Sequence, residues 1–204
     1  MPVSLYLGFV VASVVLILIP GPNVSLIVAN SIAYGTRYGL LTVVGTSSAI
    51  VMQLALVALG LTATLDILAG WFEWIRWIGV AYLLYLGFRQ WTATPIDLTR
   101  IRPQPRSFRA IALRGFLISL TNPKTLLFYG AFFPQFLSPE APIVPQVVLL
   151  SFSFLVIATA LDGGWALLSG RVRGLLAIRG RLRNRLSGGF LMCAGIGLAL
   201  ARRG

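Results

Sequence analysis

The 204-residue sequence predicts an all-α integral membrane protein, with six transmembrane helices arranged as two inverted three-helix repeats and with helices 1 and 4 broken at prolines. Three observations lead there. Hydrophobic residues make up 57% of the chain and charged residues only 11%, against roughly 25% charged in an ordinary soluble domain. Apolar runs of about 18 residues or more, each long enough to cross a bilayer, recur along most of the length. Basic residues collect in some of the intervening loops and are missing from the others.

Taken in order, the apolar runs predict helices near residues 4–28, 39–64, 70–92, 110–136, 144–168 and 187–203. The opening stretch MPVSLYLGFV has no basic region ahead of its apolar residues and no clear small-residue cleavage site, so a retained helix is expected. Arg37 lies in the first inter-helix loop. Arg89, Arg100, Arg102, Arg106 and Arg109 lie in the third, and Arg171, Arg173, Arg179, Arg181, Arg183 and Arg185 in the fifth. These are most of the 17 basic residues, and a six-span topology puts all three loops on one face. The opposite loops carry Asp66 and Glu140. The positive-inside rule makes the basic face cytoplasmic, which leaves both termini outside the cytoplasm of a bacterial inner membrane; Arg202 and Arg203 are too few to reverse this. Trp71, Trp74 and Trp77 at one end of the third span and Trp91 at the other suit interfacial aromatic belts. Glu73 and Arg76 are spaced to pair on one helix face.

The expected organisation is a single transmembrane domain, residues 1–204. Repeat 1 covers about 4–92, a cytoplasmic linker about 93–109, and repeat 2 about 110–203. Each half holds three spans, an odd number, so the halves insert with opposite orientation. A proline-broken helix opens each half, at PGPN (20–23) and TNPK (121–124). A recurring glycine spacing closes each, at Gly79 and Gly87 and again at Gly189 and Gly197. Inverted repeats with discontinuous helices are a recurring plan among secondary transporters.

Composition removes several function classes. The net charge of +12 does not indicate nucleic acid, because the arginines sit in membrane loops rather than on a solvated reading face. The single cysteine, Cys193, excludes a disulfide framework or a dithiol relay within the chain, and there is no histidine. Zinc hydrolysis lacks ligands and an aspartyl dyad lacks its second acid. A serine–lysine pair has only Ser119 and Thr125 near Lys124 in sequence, so no enzyme is expected. No cofactor and no resident metal are expected either.

The prolines carry the functional argument. In LILIPGPNVSLIV (16–28), Pro20 and Pro22 remove donors and free backbone groups around Gly21 and Asn23. Such groups cost several kcal/mol each in lipid and are tolerated where they face protein or a watery cavity. The freed N–H groups just after the break open a half-helix whose positive end attracts a carboxylate; a packing kink capped by Asn23 and Ser25 is the bland alternative. TNPK repeats the device with Asn122 and Pro123 and adds Lys124, a charge well inside its span that costs at least ~2.5–3.5 kcal/mol on insertion scales. Asp162, in ATALDGGW, is the one carboxylate well within a span. Counting at ~1.5 Å per residue puts Asp162 level with Pro22 and Lys124 roughly 10 Å further out, so a direct Asp162–Lys124 pair is not favoured by register. Gly163 and Gly164 leave room for close helix contact or for ligand. Gln53 is a further polar group that faces either the cavity or a neighbouring helix.

At these residues the chain resembles the LysE/RhtB-type amino-acid exporters. The resemblance is carried by PGPNVSLIVANSIAYGTRYGL, GLTATLDILAGWFEWIRWIGVAYLLYLGFRQW, LTNPKTLLFYGAFFPQF and LDGGWALLSGRVR. It implies a six-helix inner-membrane exporter of amino acids or related small metabolites, driven by the proton gradient and forming a homodimer. The motif positions are Pro20, Gly21, Pro22 and Asn23, then Asn122, Pro123 and Lys124, and more loosely Asp162 and Trp165. Gln53 stands where many relatives have another polar residue.

The function expected is proton-driven efflux of a small zwitterion. Its carboxylate is to meet the half-helix N-termini and Lys124, and its amine is to meet Asp162, which also carries the proton. A dicationic substrate leaves a second buried charge unpaired, at several kcal/mol, so a neutral amino acid is favoured. The alternatives are export of a divalent cation, which one aspartate and one cysteine on different spans ligate poorly, export of another small metabolite, and a non-transporting scaffold.

Overall fold

In the computed structural model the described residues are 1–19, 21–63 and 107–178, with further helical positions between 74 and 92 and between 185 and 199. Among the described residues every regular element is a helix. Helix α1, Val3–Leu18, is apolar almost throughout and stops at Ile19, immediately before Pro20. Helix α2, Pro22–Tyr34, restarts with Pro22 in its first turn, where a missing N–H is harmless. The axes of α1 and α2 differ by 49°. Gly35 ends α2 at φ +96°, a left-handed conformation that favours glycine, and α3 follows directly as Thr36–Ala63.

The second half opens with α4, Phe108–Leu120, whose first turn is capped by the Ser107 hydroxyl accepting from Ala110 N–H at 3.2 Å. The helix breaks at Thr121–Asn122 and resumes as α5, Pro123–Leu127, which runs into a π-helical turn at Phe128–Phe132 and a 3-10 turn at Phe133–Phe136. Helix α6, Ile143–Ile178, completes the continuous part. Its first turn is tied to the preceding loop by Gln146, which accepts from Ser138 N–H and donates to the Ser138, Ala141 and Pro142 carbonyls.

Among the described residues two helices are long and apolar enough to cross a membrane, at Thr36–Leu59 in α3 and Ile143–Ser169 in α6, and the bent pair α1 and α2 reaches the same length and apolarity when taken together. Exposed Val44, Val51 and Leu56 on α3 and Val148, Phe152 and Val156 on α6 give these helices apolar outer faces as well as apolar inner ones, as lipid requires.

Element ends differ from the sequence expectation. The first span continues to Tyr34 rather than stopping near 28, the fourth is four pieces rather than one helix with a break, and the fifth runs to Ile178 rather than 168. The physical reason is that an apolar window records the thickness of hydrocarbon, whereas a helix continues until a residue such as Gly35 stops it. The expected pair Glu73–Arg76, the linker 93–106 and most of the third and sixth spans lie outside the described residues.

Glycines set the closest helix contacts. A Cβ on Gly45 would run into the Ala112 carbonyl oxygen, and one on Gly115 would lie 2.8 Å from the Thr42 carbonyl oxygen, so α3 and α4 cross backbone to backbone. At the other side of the molecule Gly87 and Gly188 meet in the same way, with 2.7 Å between a Gly87 Cβ and the Gly188 carbonyl oxygen. The glycine-rich sixth span therefore spends this contact within the chain. The main core joins α1, α3, the 128–136 turns and α6 through Phe9, Ile50, Phe128, Tyr129, Phe133 and Phe154.

Candidate functional site

Both helix breaks meet at one place. The first frees carbonyls at the end of α1. In an unbroken helix the Leu16 carbonyl would accept from residue 20, and Pro20 has no N–H to give. Lys124 supplies the missing donor: its Nζ donates to the Leu16 and Ile19 carbonyl oxygens at 2.9 Å each. The cation thus sits at the negative end of a helix, where its charge is favoured. Gly21 makes room for it, since a Cβ there would stand 3.3 Å from Lys124 Nζ.

The second break obeys the same rule with a different occupant. Pro123 cannot donate to the Ser119 carbonyl, which takes Asn122 N–H at 3.0 Å instead, and Lys124 N–H is turned to Asn122 Oδ1 at 3.1 Å, which leaves the Leu120 carbonyl free. Gln53 Nε2, from α3, donates to both carbonyls, at 3.1 Å to Ser119 and 3.0 Å to Leu120. Its Oε1 is buried with no partner among the described residues.

The breaks are also joined side chain to side chain. Asn122 Nδ2 donates to Asn23 Oδ1 at 3.1 Å, Asn23 Nδ2 to Ser119 Oγ at 3.0 Å, and Ser119 Oγ to the Thr46 carbonyl at 3.2 Å. All four residues are buried. The two N-termini differ in one respect that decides which is open to a ligand. Asn122 caps α5. Gly21 has no side chain with which to cap α2, so the early N–H groups of α2 keep their unsatisfied positive end inside the protein.

Beside that end lies a small cavity lined by Leu16, Ile17, Asn23, Val24, Ile50, Asn122, Lys124, Thr125, Phe154, Ala158 and Asp162. Asp162 is 4% exposed, and its carboxylate accepts no hydrogen bond among the described residues. No salt bridge joins it to Lys124, whose Nζ is held by carbonyls instead. The water-accessible part of the cavity is about 20 Å³, room for about one water and too little for an amino acid. Phe154 in its lining is stacked on Phe128 at 5.3 Å and edge-on to Tyr129 at 5.2 Å. On the α2 side Val24 and Val28 pack against Trp165.

Of the residues singled out in the sequence, Asn23, Asn122, Lys124 and Asp162 line this cavity together. Gly21 adjoins it through the lysine stem. Gln53 and Pro123 act one layer back, at the break of α4, and Pro22 begins α2; Pro20 lies outside the described residues. In keeping with the register that disfavoured a direct Asp162–Lys124 pair, no salt bridge joins the two, yet the fourth span is not one continuous helix and its lysine lines the same cavity as Asp162. Gly163 and Gly164 make no close helix contact, for nothing lies within 4 Å of a Cβ built on either. The carbonyls of Leu16 and Ile19 and the Ser119 and Thr46 partners were not anticipated. A signal for Leu16 and Ser119 was present, since each stands four residues before a proline. Among the described residues no group of three or more His, Cys, Asp or Glu is placed to hold a metal ion.

Residues 14–202 match the family described as LysE type translocator. The chain is 31% identical over 206 residues to an uncharacterized membrane protein of Vibrio cholerae, covering 99% of this chain and 100% of that one. It is 30% identical over 200 residues to a homoserine/homoserine lactone efflux protein of Salmonella typhimurium, covering 97% of each. It is 35% identical over 161 residues to a leucine efflux protein of Salmonella choleraesuis, covering 77% of this chain and 72% of that one. No solved structure matches the chain. The match along nearly the whole length places the protein in a family of membrane transporters: it belongs to the LysE type translocators.

Proposed function

We propose that the protein exports a neutral amino acid across the bacterial inner membrane, exchanging it for a proton carried by Asp162. The observation that carries this reading is the cavity at the first break. There the uncapped positive start of α2 and the carbonyl-bearing negative end of α1 face the same space as an unpartnered carboxylate. A zwitterion has the same two poles a few ångströms apart. Its carboxylate suits the N–H groups of Asn23 and Val24, and its ammonium suits the oxygen-bearing wall of Asp162 and the α1 carbonyls. Leu16, Ile17, Ile50, Phe154 and Ala158 leave an apolar lining for the side chain. A second cationic group there would have no partner, which favours uncharged side chains. The relatives named for homoserine and leucine efflux handle amino acids of that class.

The remaining parts of the reading follow from the same source. Asn23, Asn122 and Lys124 form the substrate-facing polar set, with Pro20, Gly21, Pro22, Pro123 and Gln53 shaping the two breaks around it. Because the contracted cavity does not hold an amino acid, the Asn23–Asn122 contact separates when substrate enters. Six spans in two inverted repeats, termini outside the cytoplasm and a homodimer complete the proposal, supported by the paired proline breaks and by the distribution of arginines.

The test is uptake of labelled leucine, homoserine and a panel of other amino acids into inside-out vesicles with an acid interior. Uptake that collapses with the gradient supports the reading. Equal uptake with and without a gradient removes the proton from it, and no uptake of any amino acid overturns it.

A further inference from the structure

We propose that the Lys124 ammonium is a tethered stand-in for the substrate's own ammonium: it occupies the Leu16–Ile19 carbonyl pair when Asp162 is protonated and leaves that pair for Asp162 when the carboxylate is charged. The inference rests on the export reading above and adds the device that couples proton to substrate.

Three features support it. First, the carbonyl pair is a built cation site: two oxygens at the end of a 16-residue helix, freed by Pro20 and each 2.9 Å from Nζ. A primary ammonium on a substrate is the same chemical group as the one now bound. Second, the occupant is movable. At the second break the equivalent carbonyls are held by Gln53, a neutral amide that has nowhere else to go in the cavity, whereas the first break is held by a charge on a flexible four-carbon stem. Third, that charge has a competing partner. Asp162 lines the same cavity, is buried, and accepts no hydrogen bond among the described residues. No other ionisable side chain from α1, α2, α3, α4 or α5 lines the cavity.

The cycle then balances. A proton from outside neutralises Asp162, Lys124 returns to the carbonyls and displaces the substrate's ammonium outward. Release of that proton to the cytoplasm recharges Asp162, which draws Lys124 away and exposes the carbonyl pair to the next substrate. One proton enters for each zwitterion expelled. The α2 N-terminus carries no titratable group, so only the ammonium pole switches.

The decisive experiment is epistasis between the two side chains, read as leucine binding to the purified protein. Asp162→Asn mimics the protonated carboxylate, keeps Lys124 on the carbonyls, and should weaken leucine binding by about tenfold or more, the ordinary scale of coupling between linked sites. Adding Lys124→Ala removes the competitor and should tighten leucine binding at least about threefold over Asp162→Asn alone; Lys124→Met serves where the alanine variant does not fold. A double variant that binds no better than Asp162→Asn overturns the proposal, because a lysine that held the substrate carboxylate would make the double variant worse. A second measurement does not depend on the substrate at all. In Lys124→Ala protein n-propylammonium should raise the melting temperature by about 3 °C at about ten times its Kd, and its N,N,N-trimethyl analogue, with the charge but no N–H, should not. Equal effects of the two, or none from either, show that the carbonyl pair is no ammonium site. Failure of the export reading is recognised separately, as wild-type vesicles that take up no amino acid while the n-propylammonium shift persists.

Discussion

Lys124 Nζ donates to the carbonyl of Leu16, the residue four positions before Pro20, at 2.9 Å. The same relation recurs at the other break, where Gln53 Nε2 donates to the carbonyl of Ser119, four positions before Pro123. Each proline deletes one rung of its helix, and each carbonyl that loses it takes a donor from a different helix, the Ser119 carbonyl in addition to Asn122 N–H at 3.0 Å. The chain thereby turns two local defects into long-range ties.

Pro20→Ala supplies the N–H that a continuous helix would direct to the Leu16 carbonyl. The expected outcome is a straighter first span and a Lys124 that has lost half its anchorage. Removing a helix-interior proline is worth up to ~3 kcal/mol to the helix, so the variant should melt higher than wild type while transport falls by about tenfold or more in vesicles. Higher stability with unchanged transport would mean that the break serves packing alone.

Gln53→Leu leaves the Ser119 and Leu120 carbonyls with one donor fewer in a buried setting. The cost should be about 1–3 kcal/mol for each group left unsatisfied, read as a lower melting temperature. Because Gln53 does not line the cavity, the order of preference among amino acids should stay as in wild type. A changed order in a competition assay would move Gln53 into contact with substrate.

Much of the site was legible because its parts violate local rules. A proline in an apolar run, a lysine within a span and a lone membrane carboxylate are each costly in lipid, and all three converge on one cavity. What the sequence could not disclose was the pairing. Counting residues along ideal helices could not show that Lys124 and Asp162 share one cavity, since a count along the axis does not say where a flexible four-carbon stem reaches. Gln53 illustrates the same limit. Its burial follows from its place in an apolar run, but whether it turns to ligand or to the α4 break depends on the α3–α4 crossing at Gly45 and Gly115, a contact between residues distant in sequence. Helix ends were missed for a simpler reason: Tyr34 and Ile178 lie beyond the apolar windows, where hydropathy stops reporting helix.

The charge state of Asp162 should set affinity from the cytoplasmic side. With Asp162 charged the site is open, so leucine binding to detergent-solubilised wild type should strengthen as pH rises and weaken as it falls. In Asp162→Asn the profile should be flat at the weak level. A variant that keeps the wild-type slope would mean that another group carries the proton.

The glycines separate packing from function. Gly45 packs on the Ala112 carbonyl, with no space for a methyl group, so Gly45→Ala forces α3 from α4 at a cost of about 1–3 kcal/mol. That outweighs the up to ~1 kcal/mol gained in helix propensity, and the melting temperature should fall by several degrees. Gly163 and Gly164 have nothing within 4 Å of an added Cβ, so Gly163→Ala and Gly164→Ala should fold as well as wild type or better. Two adjacent glycines directly after Asp162, with no packing demand on either, are accounted for if α6 bends there or if the space beside the carboxylate fills during transport. Both alanine variants should therefore lose transport severalfold while gaining stability. Wild-type vesicle rates in both would remove α6 from the moving parts and leave the first break to act alone.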